Sequence, residues 1–205
     1  MTSALRRLVG FADGLAHVTA FAVNCAQVVL GPVARLWRLT ALRSQTRGEI
    51  PVSTQFDGSV TASGRGVVRM GASCRLGRNV QFDTADRGEI TLGHNVRINS
   101  GSVIAATCNV TIGDHTMIAE YVSIRDANHG IARDALIRSQ PSESTRILIG
   151  RDVWIGRGCC ILKGVEIGDG AVIGANSVVT HDVKPGAICV GAPIRQIGIR
   201  QAGRT

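Results

Sequence analysis

Aromatic side chains are nearly absent from this chain. Its 205 residues include four phenylalanines, two tryptophans and one tyrosine, which excludes a core built on large rings and favours an interior too thin to admit them. The six cysteines form no CxxC pair and show no metal-ligand spacing, so neither a disulfide scaffold nor a structural zinc site is indicated, and a reduced, cytoplasmic setting fits. Among the five histidines there is no HxxxxH pair, and His94, His115 and His129 fall at different points of the repeat described below. A three-histidine metal site on adjacent coils is thereby excluded. Acidic residues are outnumbered 15 to 23, giving a net charge of +8, but much of that excess sits in residues 1–47, where six arginines face one aspartate. A basic stripe with stacking aromatics, as nucleic-acid binding requires, is missing.

What the chain does have is a period. From Ile149 it reads IGRDVW, IGRGCC, ILKGVE, IGDGAV, IGANSV, VTHDVK, placing Ile149, Ile155, Ile161, Ile167, Ile173 and Val179 six residues apart. Steps of six scatter residues around a helix but keep them on one face of a strand, and the β-branched side chains favour extended backbone. Strands this short, interrupted just after the aliphatic by Gly150, Gly156, Gly168 and Gly174, must turn sharply and coil into a solenoid in which every repeat is completed by the next. Earlier phases are Ile112, Ile118, Ile124, then Leu92, Ile98, Ile104, then Met70, Leu76, Phe82, with a weaker one on Ile50, Phe56 and Ala62. The steps from 82 to 92, 104 to 112 and 124 to 149 exceed six by four, two and nineteen residues. Every excess follows a third repeat, so three hexapeptides make one triangular coil and all insertions leave from one edge of the prism. Five to six coils are expected over 46–185, with an inserted loop at 125–146 and a C-terminal tail at 186–205. The fourth residue after each aliphatic also points inward, and Cys74, Val80, Val96, Ser102, Cys108, Thr116, Val122, Val153, Cys159, Val165, Ala171 and Ser177 fill that position.

Residues 1–45 stand apart as a helical arm. Between Gly14 and Ala34 there is no Asp, Glu, Lys or Arg, with Arg6 and Arg7 before and Arg35, Arg38 and Arg43 after. A packed arm capping the solenoid, a helix lying on an anionic membrane surface and a marginal membrane span all accommodate this pattern; Asp13 and the lack of a good cleavage site argue against a signal peptide.

The nineteen-residue excess is the one long loop in an economical coil, and it opens Arg125-Asp126-Ala127-Asn128-His129-Gly130. An imidazole at a coil corner can take a proton from a hydroxyl and return it to a leaving group, with Asp126 or Asn128 orienting the ring; a solvated loop histidine is the alternative. Trp154 immediately precedes inward-pointing Ile155, so strand alternation turns it outward, where a large aromatic invites a partner.

The stretches DANHG, IGRDVWIGRGCCILKGVEIGDGAVIGANSVVTHDV and GAPIRQI make residues 90–200 resemble the left-handed parallel β-helix (hexapeptide-repeat) acyltransferases, in particular the maltose, galactoside and nodulation-factor O-acetyltransferases. That resemblance implies an all-β, left-handed parallel β-helix that transfers an acetyl group from acetyl-CoA to a hydroxyl of a sugar or polysaccharide precursor, without a metal. It implies His129 as general base and Asn99 as acceptor-binding residue, a turn role being the alternative for Asn99. It also implies a coenzyme groove near Ala175, Thr180 and Arg195, leaves the pantetheine arm, a neighbouring subunit or the long loop as the cover for Trp154, and implies a homotrimer in which His129 of one chain meets coenzyme held by two. His181 replaces the family's frequent lysine, and Arg157 stands where galactoside acetyltransferases carry serine, so coenzyme contacts at those two positions differ. N-acetylation of an amino sugar and a non-catalytic β-helix scaffold are the competing functions. The scaffold has no need of the DANHG loop, and neither the large helical domain of serine acetyltransferases nor the nucleotide-binding domain of sugar-nucleotide N-acetyltransferases fits in 45 residues.

Overall fold

A computed structural model describes residues 31–85 and 87–201. Two compact units are delimited, Met1–Trp37 and Arg38–Thr205. In the first, the described residues 31–37 are helical; most of the uncharged stretch 14–34 lies outside the described residues. No described helix is long and apolar enough to cross a membrane.

The second unit is a β-solenoid of about seven turns, longer than the five to six coils expected from spacing. Its three faces are parallel sheets. On the first, Phe56, Leu76, Ile98, Ile118, Ile155, Ile173 and Cys189 are stacked in register. Ala62, Phe82, Ile104, Ile124, Ile161 and Val179 are stacked on the second. Met70, Leu92, Ile112, Ile149 and Ile167 are stacked on the third, where Ile167 bridges to Val183. These columns are the sixfold phases of the sequence, the weak first one included. The additional turn arises at the C-terminal end, where Val183 and Ala187–Val190 continue the stack.

Apart from Ala62 of the first coil, which is partly covered, inward residues are buried, with one exception. Cys108 is exposed, and Val110 occupies the interior in its place. The two-residue insertion between Ile104 and Ile112 lies at the edge joining the second and third faces, so residue 108 falls in the bend rather than on a strand. Three of the inward hydroxyls are tied to backbone: Ser102, Thr116 and Ser177 donate to the carbonyls of Ala119, Gly150 and Gly174.

Open sheet edges at both ends are covered. Residues 38–45 of this unit are helical and bury Leu39 and Leu42, and the Arg38 guanidinium donates to the Phe56 carbonyl on the first face. Gln45 Oε1 accepts the Ala62 N–H on the second face, and Thr46 Oγ1 accepts the Val68 N–H on the third. Each face of the first coil thus finds a polar partner, as exposed edges require. At the other end Arg195–Ile199 runs antiparallel to Ala187–Val190.

Candidate active site

The edge between the second and third faces receives every insertion, and the largest one forms a hairpin. Ala127–His129 pairs antiparallel with Ser142–Ser144, setting His129 opposite Ser142 and Asn128 opposite Glu143. His129 is exposed, and no described residue hydrogen-bonds its ring, so the imidazole stands free to exchange a proton with something outside the chain. The returning strand is tied to the next coil by Lys163 Nζ on Glu143 Oε2 at 2.7 Å, an ion pair that holds the Glu143 carboxyl below its usual range.

Neither expected orienting residue touches that ring. Asn128 is exposed on the hairpin. Asp126 is buried, its carboxylate turned into the bend of the preceding coil, where it accepts the N–H groups of Thr107, Cys108 and Asn109. The donors come from another coil, which local sequence gives no means of anticipating.

Beside this edge lies a cleft of about 230 Å³, lined by Asp83, Thr84, Ala105, Thr107, Arg125 and Asp126 among others. Its walls follow from register. Asp83, Ala105 and Arg125 are stacked one residue after the aliphatic column of the second face, and the small Ala105 leaves a gap between an acid and a base. Asp83 and Arg125 were not singled out from sequence, although their common place in the repeat, one residue beyond Phe82 and Ile124, is a signal that could have found them.

Thr180 and His181 follow Val179 on the same edge two coils further along, with Thr180 Oγ1 3.0 Å from His181 Nδ1. Three other candidates gather on a different edge, that between the first and second faces. There Asn99 Nδ2 donates to Glu120 Oε1 at 3.2 Å, Arg157 sits with its guanidinium 5.3 Å from the centre of the Tyr121 ring, and Ala175 abuts Gly156 of the preceding coil. Tyr121 and Glu120, unremarked in the sequence, belong to this group. Trp154 projects from the first face, 52% exposed, in register with Met117, itself 48% exposed. Arg195, exposed, opens the closing strand opposite Val190. Apart from Trp154 and Arg195, the candidate residues therefore form two groups separated by the width of the second face. Among the described residues, no group of His, Cys, Asp and Glu is placed to hold a metal ion.

This arrangement has relatives. The family description "Bacterial transferase hexapeptide (six repeats)" matches residues 146–181. WbbJ of Escherichia coli (strain K12), named as a lipopolysaccharide biosynthesis O-acetyl transferase, is 35% identical over 140 residues, 64% of this chain and 71% of WbbJ. The chain belongs to the hexapeptide-repeat acetyltransferases. Galactoside O-acetyltransferase of the same organism is 39% identical over 108 residues, 53% of either chain. Among solved structures, a hexapeptide-repeat acetyltransferase of Vibrio cholerae O1 biovar eltor, complexed with acetyl coenzyme A, is 26% identical with a TM-score of 0.50, covering 69% of this chain and 72% of that one. The expected family and β-solenoid class thus hold for this hexapeptide-repeat acetyltransferase.

Proposed function

We propose that this hexapeptide-repeat acetyltransferase moves an acetyl group from acetyl-CoA to a hydroxyl of a sugar or polysaccharide precursor. The observation that carries the reading is the free imidazole of His129, held on a two-stranded hairpin at the edge that also bears the 230 Å³ cleft. In this reading the ring takes the proton of the acceptor hydroxyl as its oxygen attacks the thioester carbonyl. The tetrahedral intermediate collapses, the carbon–sulfur bond breaks, and the imidazolium returns the proton to the departing thiolate. A backbone N–H near the coenzyme groove serves as oxyanion donor. The cleft takes one sugar ring, with the Asp83 carboxylate accepting from its hydroxyls and Arg125 donating to them. Its modest size, with one hydrogen-bond acceptor and one donor on its walls, suits a polyhydroxylated acceptor, and the reading takes O- over N-acetylation.

The coenzyme lies along Trp154, Arg157, Ala175, Thr180, His181 and Arg195. The acceptor-binding role of Asn99 and the two-edge distribution both favour a homotrimer, in which one chain's Asn99 edge is brought to another's His129 edge. The exposed pair Met117 and Trp154 offers apolar area for that contact. In this reading the enzyme is cytoplasmic. The uncharged stretch 14–34 gives it peripheral contact with the membrane while residues 38–45 stay packed on the first coil, to be tested by fractionation with and without residues 1–37.

The deciding assay follows acetyl-CoA consumption across sugars, nucleotide sugars and amines, with His129→Ala beside the parent. Turnover on a sugar hydroxyl, lost by roughly two to four orders of magnitude in the variant, is expected. Turnover on amines alone, or none lost in the variant, overturns the reading.

A further inference from the structure

We infer that Asp126 is a positioning residue for the transfer step: its buried carboxylate locks the turn of the preceding coil to the root of the hairpin and so fixes where the His129 ring stands. The inference rests on the reading of His129 as the base. Among the described residues Asp126 is the one buried charged side chain, 1% exposed. It occupies a column that Thr84 and Ala106 fill in the two preceding coils, where a hydroxyl and a methyl suffice. Only in the coil bearing the long insertion does the column hold an acid.

Every polar group of Asp126 is engaged. Oδ1 accepts the Thr107 N–H at 2.7 Å, and Oδ2 accepts the Cys108 and Asn109 N–H groups, both at 2.8 Å. Its own N–H donates to the Ala105 carbonyl, and its carbonyl accepts the Thr145 N–H at 2.8 Å. Thr145 directly follows the returning strand Ser142–Ser144. One residue therefore joins the preceding turn, the outgoing strand and the returning strand, three positions before His129. Hydrogen bonds to an ionised acceptor are about twice as strong as neutral ones, and three from consecutive amides hold the turn against it. The Lys163–Glu143 ion pair on the far side is exposed and holds the hairpin only weakly. Asp126 has no contact with the ring, so it acts through backbone placement, to which transfer rates are sensitive at the scale of an ångström.

The test is Asp126→Asn, which keeps the shape but turns an NH2 group toward at least one of the three donors. Expected are a fall in kcat of about ten- to a hundredfold, a KM for acetyl-CoA changed by less than about twofold, and no added loss when the change is made in a His129→Ala background. In the unmodified protein, the amides of residues 107–109 should exchange slowly despite the exposed Cys108 side chain, and faster in Asp126→Asn. Turnover retained by His129→Ala overturns the base reading and this inference with it. Turnover lost there but kept in Asp126→Asn overturns this inference alone, as does equal loss in both backgrounds or a matching rise in KM, each the mark of general loosening. Should the variant not fold, exchange in the unmodified protein decides, and amides 107–109 exchanging like open loop overturn the assignment.

Discussion

Thr116 carries a hydroxyl into an interior of aliphatic side chains, and it does so without an unpaired atom. Oγ1 donates to the Gly150 carbonyl at 2.8 Å and accepts the Val153 N–H at 3.1 Å, bridging two groups of the next coil where the long insertion rejoins the prism. Valine has nearly the same shape and neither bond. Thr116→Val is therefore expected to destabilise the protein by about 1–3 kcal/mol, the range for stranding buried polar groups, read as a lower urea midpoint at unchanged slope. The cysteines test the same interior chemically. Burial pushes the thiols of Cys74, Cys159 and Cys189 up, making thiolate scarce, whereas Cys108 lies exposed in its bend. A thiol reagent followed by peptide mass mapping should mark Cys108 in the native protein and the three buried residues only on unfolding. Native labelling of Cys74 at a similar rate would mean that the prism opens far more readily than its packing implies.

At the scale of the strand and its turn, close approach governs. Gly71, Gly93, Gly113 and Gly150 each follow an aliphatic of the third face, and a Cβ on Gly113 would stand 2.6 Å from the Gly150 carbonyl carbon, backbone that cannot step aside. Gly113→Ala should cost about 1–3 kcal/mol by overpacking, seen as a lowered melting temperature. Gly198→Ala, with nothing nearer than 3.9 Å, should leave it unchanged. These columns were legible in the sequence because the period is even and local: a step of six fixes both the face and the register, and Phe56 to Ile173 stack as the phases require, whereas Cys189, sixteen residues on, was read as tail. The bend at Cys108 was not, because an insertion of two residues shifts a side chain without disturbing the aliphatics on either side. The same division holds at the site. The corner bearing His129 and the outward turn of Trp154 follow from repeat phase, whereas the task of Asp126 depends on donors at 107–109 that reach it only once the coils are stacked.

At the scale of the whole molecule, the separation of the two groups of candidate residues decides how many chains make one site. Asn99 shares its edge with Ala119, and from there to the hairpin root at Asp126 the chain must cross the second face, roughly 15 Å at 3.3 Å per extended residue. One sugar ring and one thioester do not span that distance, so on the proposed function a single chain holds two half-sites. Rotation about a threefold axis lets the half-sites of neighbouring chains meet, and closed symmetry gives one complete site per contact. Asn99→Ala and His129→Ala chains should then each be nearly inactive alone. After unfolding together in equal amounts and refolding, about a quarter of the clefts would pair an intact Asn99 edge with an intact His129 edge, restoring about that share of parental turnover. A mixture no more active than its parts, from a sample whose sedimentation shows mixed oligomers, would place both groups' work within one chain and remove the reason for a shared cleft.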